Sequence, residues 1–149
     1  MTASLDVQVD YPSSQDEIPT EEDFILWVNA AYQSDTAAQV SIKIVDEQES
    51  QMLNYQYRHK NQPTNVLSFP MHVALDEQAV LLGDIAICAP VVKREAEQQG
   101  KSITAHWAHM LVHGMLHLQG YDHMEAKQAE VMENLEIAIL QRLGFACPY

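Results

Sequence analysis

Apolar and polar residues alternate over residues 4–10, SLDVQVD, which predicts a strand; the period then changes. Thr20 followed by Glu21, Glu22 and Asp23 makes a helix-start signal, with a hydroxyl to cap the first turn and acids to meet its positive end. Phe24, Trp27, Val28 and Ala31 fall at i, i+3, i+4 and i+7, so that helix presents one core-facing stripe and ends near Gln33. Val40, Ile42 and Ile44 alternate with Ser41 and Lys43 as a second strand, after which Asp46 opens a short helical stretch carrying Met52 and Leu53. Arg58 leaves that stretch into a loop. Asn65 to Pro70 and Val80 to Cys88 read as two further strands that pair, the second so apolar that it belongs in the middle of a sheet. Pro90 and Gly100 bracket a helix, another runs from about Thr104 to Gln119 and stops at Gly120, and a last one covers roughly 125–143. Its stripe is Met132, Leu135, Ile139 and Leu143, with Gly144 as the stop. The sum is an α+β fold, one small mixed β-sheet packed against several helices.

No repeat, low-complexity tract or Gly/Ser linker interrupts the 149 residues, so 1–149 reads as one domain. No window approaches the roughly 20 apolar residues of a membrane span, and no basic leader precedes an apolar run; both point to a cytoplasmic protein without membrane association. Cys88 and Cys147 lie far apart and outside any C-x-x-C pair, so neither a disulfide framework nor a cysteine zinc site is suggested. The formal charge of −13 argues against the broad basic surface of most nucleic-acid binders. The eight Lys and Arg residues are unevenly placed, however, with Arg58 and Lys60 flanking His59 and Lys93 adjoining Arg94. A local basic cleft on an acidic body is compatible with that distribution.

The chemistry concentrates in His113-Gly-Met-Leu-His117-Leu-Gln-Gly120-Tyr-Asp-His123. On a helix, residues i and i+4 share a face about 6 Å apart along the axis, so His113 and His117 can reach one ion. Gly120 lets the chain turn, and His123 returns to supply a third nitrogen with a fourth position left open. The site therefore belongs at the end of the central helix. His109, His113 and His117 form a competing set, but its outer members stand about 12 Å apart on a straight helix, too far for one ion. His106 and His109 read better as packed residues with satisfied ring nitrogens. The spacing is also that of metzincin proteases, except that their general-base Glu is replaced by Gly114. Peptide hydrolysis by that route needs a carboxylate beside the reacting water, so a protease is disfavoured.

The histidine segment closely resembles the signature of the YbeY endoribonucleases, also described as rRNA maturation factors. Arg58, Pro63-Thr-Asn-Val-Leu-Ser-Phe-Pro70, Leu82-Gly-Asp-Ile-Ala-Ile-Cys88 and Ala105-His-Trp-Ala-His-Met110 resemble that family in order and spacing, over about residues 40–145. The resemblance implies a zincin-like endoribonuclease holding one zinc ion per chain and selective for single strands. It also implies action in rRNA maturation, including the 3′ end of small-subunit rRNA, and in ribosome quality control. The implied partners are ribosomal RNA, the small ribosomal subunit, a ribosome-associated GTPase and a small-subunit ribosomal protein. Arg58 takes the place of the family's functionally important arginine, and a guanidinium fork matches phosphate oxygens. Asp122, Asn65 and Ser68 are candidates for substrate contact or for the base, although Asn65 and Ser68 suit hydrogen bonding at a strand edge better. Tyr57, Phe69 and Tyr121 could stack on bases, a rarer use of aromatic residues than core packing. Asp84, inside an apolar strand, needs a partner if buried. A non-catalytic ribosome assembly factor with a structural metal is the alternative, weakened because structural zinc sites usually have four protein ligands.

Overall fold

The computed structural model describes residues 5–12, 17–122 and 124–149. Elements follow in the order β1 (Leu5–Asp10), α1 (Glu21–Ala31), β2 (Ala37–Val45), α2 (Glu47–Arg58), β3 (Val66–Ala74), β4 (Ala79–Cys88), α3 (Ala89–Gln99), α4 (Ile103–Leu118) and α5 (Ala126–Arg142). The strands form one mixed sheet in the order β1-β2-β4-β3, with β1, β2 and β4 parallel and β3 antiparallel to β4. The apolar β4 is thus interior and pairs with β3, as its composition demands.

Residues that alternate along β4 divide the interior between the two faces of the sheet. Ile85 and Ile87 join the main core with Phe24, Trp27, Val28, Trp107, Leu111, Met115 and Ile139. Ala86 and Cys88 join a smaller cluster with Val45, Leu67 and Val91, against which Leu53 and Phe69 pack. Helix α4 contacts α1, α3, α5, β3 and β4, and most of its residues are buried. It is the central helix, which explains why its sequence is apolar nearly all round.

Helix α1 matches its pattern closely: Thr20 caps it by accepting from Asp23 N, and Phe24, Trp27, Val28 and Ala31 are buried. Three elements differ from expectation. Strand β3 continues to Ala74, because pairing resumes after a bulge between Pro70 and Val73 where His72 adopts φ 53°. Helix α2 buries Ser50 and Asn54 rather than Met52, which is exposed. Helix α5 buries Met132, Glu136, Ile139 and Leu140, leaving Leu135 and Leu143 half-buried. Asp84 is exposed and needs no buried partner. Among the described residues, no helix is long and apolar enough to cross a membrane.

Candidate functional site

Helix α4 is held on both sides before its histidines reach the surface. Gln119 at its end donates to Ala31 O at 2.9 Å and accepts from Gln33 N at 2.7 Å, which ties it to the end of α1. Gly120, at φ 98°, then takes the chain away, with Tyr121 N bonding back to Leu116 O. A Cβ at Gly120 would meet nothing within 4 Å, so the requirement there is the left-handed backbone and not space.

His113 and His117 project from one face, and their Nε2 atoms are 3.1 Å apart. Two imidazole nitrogens on one tetrahedral zinc, each at 2.0–2.1 Å from it, stand about 3.3 Å apart, so this pair fits one ion. Glu136 accounts for the orientation of His113. Its carboxylate is completely buried and accepts from His113 Nδ1 and from the Tyr149 hydroxyl. His109 Nε2 lies 3.5 Å from its second oxygen, the long limit of hydrogen bonding. Burial alone would push the Glu136 carboxyl up, but the donors on His109, His113 and Tyr149 outweigh it and bring it down to about 2. Burial and the bond to Glu136 push the Tyr149 hydroxyl up, so it remains a donor. With Nδ1 committed as donor to a carboxylate, neutral His113 carries its lone pair on Nε2, facing His117.

Arg58 reaches the same cleft from the end of α2. The loop behind it is strapped to that helix from inside: Ser50 Oγ donates to Thr64 O at 2.8 Å and Asn54 Nδ2 donates to Gln62 O at 2.8 Å. These two buried polar residues set where the helix ends, and His59 closes it at φ 59°. Lys43, Lys93 and Arg94 are drawn into ion pairs with Glu49, Glu17 and Glu47. Arg58 makes none among the described residues.

A cleft of about 930 Å³ brings Arg58, Asn65, Ser68, His113, His117 and Asp122 together. His123 lies outside the described residues, and among those described no group of three or more His, Cys, Asp or Glu is arranged to hold a metal. Asn65 and Ser68 have structural partners. Asn65 Nδ2 donates to Glu95 at 3.1 Å while its Oδ1 accepts from Val66 N, and Ser68 Oγ donates to Gly114 O at 3.1 Å. Glu95 also pairs with the buried His106 at 2.9 Å, so His106 packs on a partner of its own. His109 is buried against Glu136 and the Tyr149 ring; its Nδ1, like that of His106, has no hydrogen-bond partner among the described residues and its Nε2 has only the 3.5 Å approach to Glu136, so the expected satisfaction of the ring nitrogens holds at His106 Nε2 alone.

Gly114 faces the sheet. A Cβ there would stand 3.2 Å from Ile85 Cγ2 and 3.3 Å from Ser68 Oγ, tighter than ordinary contact. Any side chain at this position would press on Ile85 and Ser68, which gives the departure from the metzincin pattern a packing cause. Glu136 and Tyr149 are the functional-site residues that the sequence reading missed. The available signal was an acidic residue at i+4 from Met132, inside an apolar stripe.

A family model described as Endoribonuclease YbeY matches residues 8–144. Among solved structures, the solution structure of a protein from Thermotoga maritima is similar in fold, with a TM-score of 0.54 and 21% identity over 94% of this chain and 91% of that one. The family match spans nearly the whole chain, including every residue that lines the cleft, and so this chain belongs to the YbeY endoribonuclease family.

Proposed function

We propose that the chain is a zinc-dependent endoribonuclease selective for single-stranded RNA, acting in the cytoplasm on ribosomal RNA, including the 3′ end of small-subunit rRNA, and in ribosome quality control. The small subunit, one of its proteins and a ribosome-associated GTPase are the partners proposed with it. The observation that carries the reading is the convergence of the His113 and His117 Nε2 atoms, 3.1 Å apart, in a cleft that Arg58 shares. His113, His117 and His123 would hold one ion. When bound, that ion supplies Lewis-acid polarisation of a phosphoryl oxygen or of a water.

The protein's own groups do the rest. Arg58 binds two phosphoryl oxygens and stabilises charge that accumulates on them during phosphodiester cleavage. Glu136 holds His113 in the tautomer that directs the Nε2 lone pair toward His117. Ser68 and Asn65 keep β3 against α4 and α3, fixing the wall opposite the histidines. Asp122 is the carboxylate that lines the cleft, and it is the candidate to accept or return a proton.

Metal-loaded and chelated protein assayed on single- and double-stranded rRNA fragments, with metal content measured in parallel, tests the reading. Cleavage of single strands by the loaded protein alone is expected. His113→Ala, His117→Ala and His123→Ala should each lower bound zinc, whereas His106→Ala and His109→Ala should not. Undiminished cleavage after complete metal removal, or full occupancy in His123→Ala, would overturn the assignment.

A further inference from the structure

Tyr57 stands beside Arg58 at the lip of the cleft, and its residue is 63% exposed although its ring packs on Phe69. The two ring centroids are 4.7 Å apart at 60°. Phe69 is itself anchored, since it packs against the cluster of Val45, Leu67, Ala86, Cys88 and Val91. The arrangement is a largely exposed aromatic residue whose ring packs at a tilt on an anchored neighbour. Core packing explains Phe69. It does not explain why a large ring should remain exposed next to the cleft's arginine.

We propose that Tyr57, braced by Phe69, is a stacking subsite for an unpaired nucleobase flanking the phosphate that Arg58 holds. The inference rests on the ribonuclease reading and gives it a physical source of strand selectivity. A net charge of −13, with three of the eight cations held in ion pairs among the described residues, argues against affinity drawn mainly from broad phosphate neutralisation. Stacking is the large attractive contribution left, and it is indifferent to base identity because every base has a π-face. In a duplex both faces of an internal base are covered by its neighbours, whereas a single strand can turn one face onto Tyr57. Tyr57 and Arg58 line the same cleft, so the stacked base belongs to a nucleotide near the bound phosphate.

The test is a cycle between protein and substrate, using the metal-loaded full chain. Single-stranded RNA oligonucleotides with an abasic site placed at each position around the cleavage point are compared with the intact strand, for wild type, Tyr57→Ala, Tyr57→Leu and Tyr57→Trp. Tyr57→Ala should lower kcat/KM on the intact strand roughly ten- to a hundredfold, Tyr57→Leu should resemble it, and Tyr57→Trp should keep it. One abasic position should cost the wild type the same factor and cost Tyr57→Ala almost nothing further. Stopped-flow quenching of 2-aminopurine at that position should appear with wild type and Tyr57→Trp and vanish in the other two. Thermal midpoints within a few degrees of wild type exclude unfolding as the cause. Independent, multiplicative losses from the abasic site and Tyr57→Ala, or wild-type behaviour of Tyr57→Leu, would overturn the subsite alone. No binding or cleavage of any RNA by the loaded wild type would overturn the ribonuclease reading and the subsite together.

Discussion

Replacing Glu136 should damage metal binding more specifically than it damages folding, and two variants separate the effects. Glu136→Ala removes a buried carboxylate on which His113, Tyr149 and, at 3.5 Å, His109 converge. Stranding buried donors costs about 1–3 kcal/mol for each one left without water, and breaking a buried charged network roughly 3–5 kcal/mol in total. Against a typical stability of about 5–15 kcal/mol, the alanine variant is marginal and is the poorer probe. Glu136→Gln keeps the volume and one acceptor oxygen but turns an amide NH₂ toward a neighbouring donor. It should therefore lose one of the two close hydrogen bonds, about 1–3 kcal/mol of stability, and the fixed tautomer of His113. Loss of the carboxylate behind a metal-bound histidine lowers affinity about 10- to 100-fold, or about 1.4–2.7 kcal/mol. Zinc affinity by competition with a chromophoric chelator and thermal unfolding of the metal-free protein measure the two quantities separately. Tyr149→Phe removes a single donor to the same carboxylate and should show a smaller loss of both. A Glu136→Gln protein that binds zinc as tightly as wild type, yet melts earlier, would show that Glu136 is a packing residue with no bearing on the site.

Arg58→Ala and Arg58→Lys should leave folding and zinc content unchanged while cutting single-turnover RNA cleavage about 10²–10³-fold, as for other lost oxyanion donors; a wild-type rate in both would remove Arg58 from the chemistry. Burial lowers the pKa of His106 below 6.5 despite the hydrogen bond to Glu95, with Lys101 and His109 as its other titratable neighbours. The unfolded chain therefore takes up that proton first, and the stability held above pH 6.5 falls as pH drops through 6.5. The midpoint measured by calorimetry should decline between pH 7 and pH 5.5, and less steeply in His106→Gln, which keeps a donor for Glu95 without titrating there; equal slopes would count against the assignment. Gly114→Ala gains about 1 kcal/mol of helix propensity but forces a Cβ to 3.2 Å from Ile85, so overpacking of about 1–3 kcal/mol should leave it no more stable than wild type in urea. A clearly stabilised variant would mean that the sheet yields easily at this point.

What the sequence made legible was whatever a single period could carry. The stripe on α1, the apolar β4 and the glycine stops of α3 and α4 follow from spacing and from backbone freedom, and they stand where they were expected. The i, i+4 pair His113 and His117 is legible for the same reason. Polar residues buried on behalf of distant segments were not legible. Ser50 and Asn54 face inward because the loop between Arg58 and Val66 must be fastened behind α2, and nothing in the pattern of α2 marks them. Glu136 reads as a surface acid until α4 is set beside α5, when its charge is matched by donors from His113 and Tyr149. The extension of β3 beyond Pro70 was hidden by the proline, which an edge strand tolerates because its outer side needs no donor.

The close packing at Gly114 also bears on which atom attacks the phosphodiester. A metzincin places its base one residue after the first histidine, and in this chain that position is a glycine packed closely against Ile85 and Ser68, which supplies no carboxylate. The proton must therefore be handled by another group of the cleft or by the substrate itself. Asp122 lines that space, and an RNA strand brings its own nucleophile in the ribose 2′-hydroxyl. The two routes leave different ends. Attack by water yields a terminal phosphate monoester, whereas attack by the 2′-hydroxyl yields a 2′,3′-cyclic phosphate. Asp122→Asn should slow the first route steeply if the carboxylate is the base, with zinc content unchanged. A cyclic product together with an unaffected Asp122→Asn rate would remove Asp122 from proton transfer and assign the nucleophile to the RNA.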